Sequence, residues 1–287
     1  MGETTCLSFE QAIKTDRYCR ALGDIYFNNT AAYIQSLFAR CCLATTPGFN
    51  FDLRKIAEDS SRIAKTVLSH LNRDELAIDP LLVVQIRHML MGAGMDVAIL
   101  RELVDLIAGE LAGQGEDIRT QGRVRRIASL LTSLGYVNDV LEPPGDTLRL
   151  LDNPAVWLGL PTAQLSDVAD HFFADKAGLD DMSSQIMSLV ALGELRNYRL
   201  DFGCKLLRLV FSQGVICLEA NEALNFVALQ RRRDGGYGFV NPFLEAEQSE
   251  GDKALSLHLP ATLNAVWLFR TKALRRSDGN LGGCLAC

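Results

Sequence analysis

Residues 223–239, ALNFVALQRRRDGGYGF, run a helical pattern into Arg231, Arg232 and Arg233 and then into two glycines followed by aromatics. Gln230, near the end of that helix, can bond a free carbonyl of its own turn or the first amides of the next helix. Gly235 and Gly236 permit the positive φ values that a tight reversal requires. Tyr237 and Phe239 can fold back as apolar plugs between helical hairpins. On this reading the stretch is a structural staple, and it need not touch a ligand.

Working outward, the flanking chain keeps the same period. In 51–71, Leu53, Ile56, Ala57, Ile63, Ala64, Val67, Leu68 and Leu71 follow three-to-four spacing, with Asp52 as the N-cap or a first-turn acid. In 95–113, Val97, Leu100, Leu103, Val104, Ile107 and Leu111 form a stripe that Gly113 stops. Alternating strand patterns of useful length are missing, so the expected class is all-α. The helices come in two kinds that interleave. The more apolar are 28–44, 79–94, 118–136, 180–195 and 259–274; the more amphipathic are 52–72, 96–113, 164–174, 201–213 and 217–230. An array of helical hairpins produces such alternation, because each hairpin buries one helix deeper than its partner. Residues 1–276 read as a single domain. Residues 142–161 form a long connection or short extra helix within it, and 277–287 form a flexible tail.

The bulk numbers set limits on function. The 287 residues are 48% hydrophobic and 22% charged, as in ordinary globular proteins, with net charge −6. That balance argues against a nucleic-acid partner, because the basic concentrations at 123–126, 231–233 and 270–276 are short. No apolar run is long enough for a membrane span, and the first ten residues lack a signal-like segment. A cytoplasmic location follows as the expectation, with the eight scattered cysteines reduced. Cys284 and Cys287 form a C-x-x-C in a tail where no second metal-binding pair occurs.

Ala223, Phe226, Gln230, Gly235 and Tyr237 also follow the order of the QW repeat: Ala, aromatic, Gln, then Gly-x-aromatic. Gly236 and Phe239 fit its Gly-Gly-x-Gly form, and HLPATLNAVWLF (258–269) resembles the inner helix that follows. Residues 220–274 therefore resemble one repeat of the superfamily of protein prenyltransferase β subunits and squalene–hopene (class II terpene) cyclases. The resemblance implies an (α/α)6-type toroid around an apolar cavity. Two departures stand out: Glu222 occupies a position usually basic, and Tyr237 replaces the usual Trp. The cyclase D-x-D-D motif is missing too. GLDDMSS supplies only Asp180 and Asp181, and AIDP only Asp79. His258 falls near the position of the prenyltransferase zinc histidine, but no D-x-C partner precedes it. No cofactor is therefore implied. Zinc would need Asp16 with Cys19, or Cys204 with Cys217, brought in by the fold.

The resemblance points to an enzyme that encloses a hydrophobic small molecule for cyclisation, isomerisation or transfer. His258, Asp180 and Asp181 are the acid/base candidates. His88, Arg232, Arg233, Tyr237 and Trp267 are the expected ligand contacts, the arginines through an anionic group. Each has a structural alternative: His258 as helix-start structure, Asp180 or Asp181 as an N-cap, the arginines as a solvated helix end. His171 and Asp175, one turn apart, either share a metal ion or face solvent. Met89, Met91 and Met95 are core or cavity wall. The alternative function is a non-catalytic helical-repeat module with a protein or peptide partner.

Overall fold

The computed structural model describes residues 7–25, 29–70, 78–136, 139–175, 178–214, 217–238 and 254–282. Their regular structure is helical; the only β-type pairing among them is a single antiparallel bridge between Arg231 and Tyr237. The order is α1 (Phe9–Ile25), α2 (Thr30–Ala44), α3 (Leu53–His70), α4 (Pro80–Gly92), α5 (Ala98–Ala112), the single turn α6 (Glu116–Arg119) and α7 (Gly122–Ser133). After these come α8 (Gly145–Leu151), a 3-10 segment (Pro154–Gly159), α9 (Thr162–Asp175), α10 (Asp181–Arg196), α11 (Leu200–Ser212), α12 (Leu218–Leu229) and α13 (Leu259–Gly282). No helix among the described residues is long and apolar enough to cross a membrane.

Local chemistry starts these helices where the sequence suggests. Asn29 accepts from the Ala32 amide at the head of α2, and Asp52 accepts from the Arg54 amide at the head of α3. Asp79 caps α4, with Pro80 in the first turn, where its missing N–H costs nothing. Residues 142–161 supply α8 and the 3-10 segment, anchored by the buried Trp157, whose indole N–H donates to the Leu150 carbonyl at 2.7 Å. α13 runs through Gly282 and so includes the first six residues of 277–287. Residues 283–287, with Cys284 and Cys287, lie outside the described residues, as do Cys6 and Phe239.

Six helices contact one another in sequence order: α2 with α4, α4 with α7, α7 with α9, α9 with α11, α11 with α13, and α13 with α2. The others pack on these six. α1 and α3 lie on α2, α5 on α4, α10 and α12 on α11, and α8 on α9. Burial follows this division. From Phe202 to Phe211 in α11 only Lys205 is not fully buried, whereas α10 buries one face and exposes Met182 and Leu189. Gly203 lets α10 and α11 approach closely: a Cβ there would lie 2.6 Å from the Leu195 side chain. The two sequence classes are thus corrected in one half of the chain. α9 and α11 read as amphipathic yet belong to the circuit of six, and the apolar α10 packs outside it. The reason is physical: α9 and α11 carry charged side chains inward, and a helix with buried charges has the sequence pattern of a solvated one.

The stretch 223–239 behaves as a staple. Gln230 takes part through its backbone carbonyl, which accepts from the Gly238 amide at 3.2 Å, and the Arg232 amide donates to the Gly236 carbonyl at 2.8 Å. Gly235 has φ +99° and sits against the α1 backbone, where Thr15 donates to its carbonyl at 2.8 Å. Tyr237 is buried, its amide donating to Thr262 Oγ1 of α13 and its ring 5.9 Å from that of Phe269. The turn therefore fastens the α12–α13 connection to α1. Arg40 does similar work between helices, bonding Asp16 of α1 and Asp59 of α3 from a buried position on α2.

Candidate functional site: a cationic cavity among six helices

All six helices of the circuit contribute to one cavity of about 250 Å³, each represented by at least one of Gln35, Leu82, Arg126, Asp170, Arg208 and Trp267. Its centre is charged. Asp170 accepts from Arg126 at 2.9 Å through Oδ1 and from Lys205 at 2.7 Å through Oδ2, and Lys205 also donates to the Ser166 hydroxyl at 2.7 Å and carbonyl at 3.0 Å. Burial alone would raise the Asp170 carboxyl; Lys205 and Arg126 more than reverse this and hold it below its ordinary value. Burial lowers the Lys205 ammonium to about 8, although Asp170 opposes the shift. Arg126 is lowered in the same way, and its guanidinium carbon lies 4.1 Å from the ring centre of Phe173.

Arg208 differs from its neighbours. It is 3% exposed and lies over Trp267, with its guanidinium carbon 3.3 Å from the ring centroid. Its Nε and Nη1 are buried and have no hydrogen-bond partner among the described residues. Burial, and after it the nearby Arg126, lower its pKa well below the usual value. Stacking on an indole compensates part of the lost hydration. It does not provide the acceptors that a buried guanidinium needs, and an arginine cannot escape by losing its proton.

No protein-family model, curated protein or solved structure matches the chain. The resemblance to the prenyltransferase and cyclase superfamily therefore rests on residues 220–274 alone.

Of the acid/base and ligand-contact candidates named from the sequence, only Trp267 lines the cavity. His258 pairs with Arg232 in the staple, where its ring also occupies the space a Cβ on Gly238 would need. Arg232 bonds Asp234 as well, and Arg233 is exposed. Tyr237 is a packing residue between α12 and α13. Asp180 caps α10, accepting from the Ser183 amide at 2.7 Å, and Asp181 is exposed in the first turn. His88 is exposed on α4, Met91 is exposed, and Met89 packs against Cys42. His171 and Asp175 meet the same guanidinium, that of Arg125 (2.7 Å to His171; 2.5 and 3.1 Å to Asp175). Among the described residues no group of three or more His, Cys, Asp or Glu side chains is placed to hold a metal ion.

The cavity residues to which the sequence reading gave no site role are Arg126, Lys205 and Arg208; Asp170 stands in the acidic run 167–181, whose balance favoured a solvated helix face. A signal existed: Lys205 and Arg208 lie three apart inside the apolar run CKLLRLVF, where two cations on one face must find an inward partner or a ligand.

Proposed function

We propose that the chain is an α/α toroid that encloses a small molecule at its centre and acts on it there. What carries this reading is the cavity itself: one space walled by side chains from six helices that contact each other around a closed circuit. Ligand sites do occur between the helices of a bundle. This one joins the charged side chains of Arg126, Asp170, Lys205 and Arg208 to the apolar ones of Leu81, Leu82, Phe202, Leu263 and Trp267. The proton-transfer group within reach of such a ligand is Lys205. An ammonium near pH 8 is balanced between its two states close to neutrality, as general acid/base work needs. His258 is engaged in the staple and Asp180 in capping, and Asp181 is exposed at the head of α10. None of the three lines the cavity, so on this reading they have no part in the chemistry. A module binding a peptide on a concave face would need an open groove, and the circuit of contacts favours the small-molecule reading over it.

The test uses native mass spectrometry on the purified protein, beside the cavity-filling variant Asn264→Trp. Asn264 lines the cavity, and its side chain donates to the preceding-turn carbonyl of Pro260. The expected result is a small molecule released from the wild type and missing from a folded Asn264→Trp. A ligand retained by that variant, or a peptide found in its place, would overturn the reading.

A further inference from the structure

We infer that the central cavity is built for an organic monoanion whose carboxylate head is held by Arg208 and whose body lies against Trp267, Phe202 and Leu263. This rests on the proposed central ligand site and specifies the chemistry of what occupies it.

Three observations converge. Arg208 lines the cavity, is almost wholly buried, and leaves Nε and Nη1 without acceptors among the described residues, so a cation stands there uncompensated by hydrogen bonds at those atoms. Isolating a charge from water is strongly unfavourable unless a partner restores its hydrogen bonds. Arg208 is also placed rather than loose. The indole of Trp267 on one side and the ring of Phe173, 5.9 Å away, hold the guanidinium plane in position. A fixed planar fork matches a planar carboxylate, which can take two parallel N–H bonds.

Charge and volume then narrow the class. Arg123, Arg126, Lys205 and Arg208 line the cavity against Asp79, Asp170 and Asp201, an excess of one positive charge. Arg123 is paired with Asp79, and Arg126 and Lys205 share Asp170. Asp201 is exposed and bonds none of these cations, so among the described residues Arg208 is the lining cation with no carboxylate partner. One negative charge placed there brings the sum of the lining to neutrality. A volume of about 250 Å³ exceeds the roughly 150 Å³ that accommodates a benzene-sized guest and falls short of most drug-sized sites. A short acyl chain or one aromatic ring bearing a carboxylate fits those limits.

The experiment measures binding of acetate, hexanoate and benzoate, each beside its primary amide, and of inorganic phosphate. Ligand-stripped wild type, Arg208→Met and Asn264→Trp are compared by calorimetry and thermal denaturation. The inference expects at least one carboxylate to bind the wild type tenfold or more tightly than its amide, with that binding lost in both variants. It also expects Arg208→Met without ligand to melt at a higher temperature than the wild type, because an unpaired buried charge has been removed. Should Arg208→Met fail to fold, Arg208→Lys keeps the charge but not the fork, and carboxylate binding should drop at least tenfold. Carboxylate and amide binding equally, with both lost in Asn264→Trp, would overturn the anion assignment and leave the central ligand site standing. Binding unaffected by Asn264→Trp would remove the site itself, and the inference with it. The inference is also overturned if no carboxylate binds, if phosphate binds more tightly than every carboxylate, or if an Arg208→Met that folds melts below the wild type.

Discussion

Arg125 places Nη1 2.7 Å from Nδ1 of His171, and because a guanidinium only donates, Nδ1 must be the acceptor. The ring hydrogen then sits on Nε2, directed at Asp167 3.2 Å away. The same arginine grips Asp175, so a histidine and an aspartate one helical turn apart are joined through a side chain from α7. Asp167 also accepts from the Gly122 amide at 2.8 Å, and no side chain fits there: a Cβ on Gly122 would lie 2.4 Å from the Asp167 carbonyl oxygen. The α7–α9 seam is therefore a polar zipper that closes part of the cavity wall.

Arg125→Met should lower stability by roughly 3 kcal/mol, since it leaves a partly buried carboxylate and the His171 acceptor without their partner. Urea denaturation of Arg125→Met, His171→Gln and the double variant would measure the interaction. A double variant costing as much as the two singles added together would show that Arg125 and His171 act independently.

Gly235 should be among the least replaceable residues in the staple. Its φ of +99° is unfavourable for any side chain, and a Cβ would stand 2.5 Å from the α1 backbone at Lys14. Gly48 provides the control, with φ +84° and open space around it. Gly48→Ala should cost about 1 kcal/mol from backbone strain alone. Gly235→Ala should cost several times that, because the α1 contact must open. Equal costs in thermal denaturation would mean that the close approach adds nothing.

These positions also show how far the sequence could be read. Helix starts at Asp52, Asp79 and Asp180 were legible because an N-cap is a local event: one side chain satisfies an amide two or three residues on. The glycine reversal at 235–236 was legible for the same reason. Which helices face the cavity was not. Hydrophobic periodicity reports how much of a helix is apolar, and both solvent and a charged cavity demand a polar stripe. α9 with Asp170 and α11 with Lys205 and Arg208 therefore looked like outer helices. His258, Asp180 and Asp181 drew attention as residue types capable of acid/base work, but the first two find their partners in a turn and a cap and Asp181 is exposed. Arg126 counted only as part of a short basic concentration and Arg208 drew no notice, because burial, which makes both unusual, is a property of the assembled fold.

Asp180 separates capping from catalysis. Asp180→Ala should lower the melting temperature through loss of the Ser183 bond, while Asp181→Asn should melt close to the wild type, as exposed substitutions do. Neither should change binding of a ligand in the central cavity. If Asp180→Asn, which can still cap, abolished turnover of a cavity-bound compound, the aspartate would regain a chemical role.

The last expectation concerns pH. The Lys205 ammonium is lowered by burial from 10.5 to about 8, Asp170 opposing the shift. Between those values the unfolded chain keeps a proton that the folded chain has released, so this group makes stability rise with pH across that window and leaves it flat below. Buried thiols at Cys19, Cys41, Cys42 and Cys204 act in the opposite sense. Burial raises their pKa values, so they lose stability as pH climbs above the ordinary thiol range. The informative quantity is thus the difference between wild type and Lys205→Met, which share those thiols. The wild type should gain on the variant from pH 8 to pH 10.5 by up to about 3 kcal/mol, the full equivalent of the shift. Parallel stability curves over that range would place the Lys205 ammonium near its ordinary value, and with it would go the argument that this lysine can exchange a proton with a bound ligand near neutral pH.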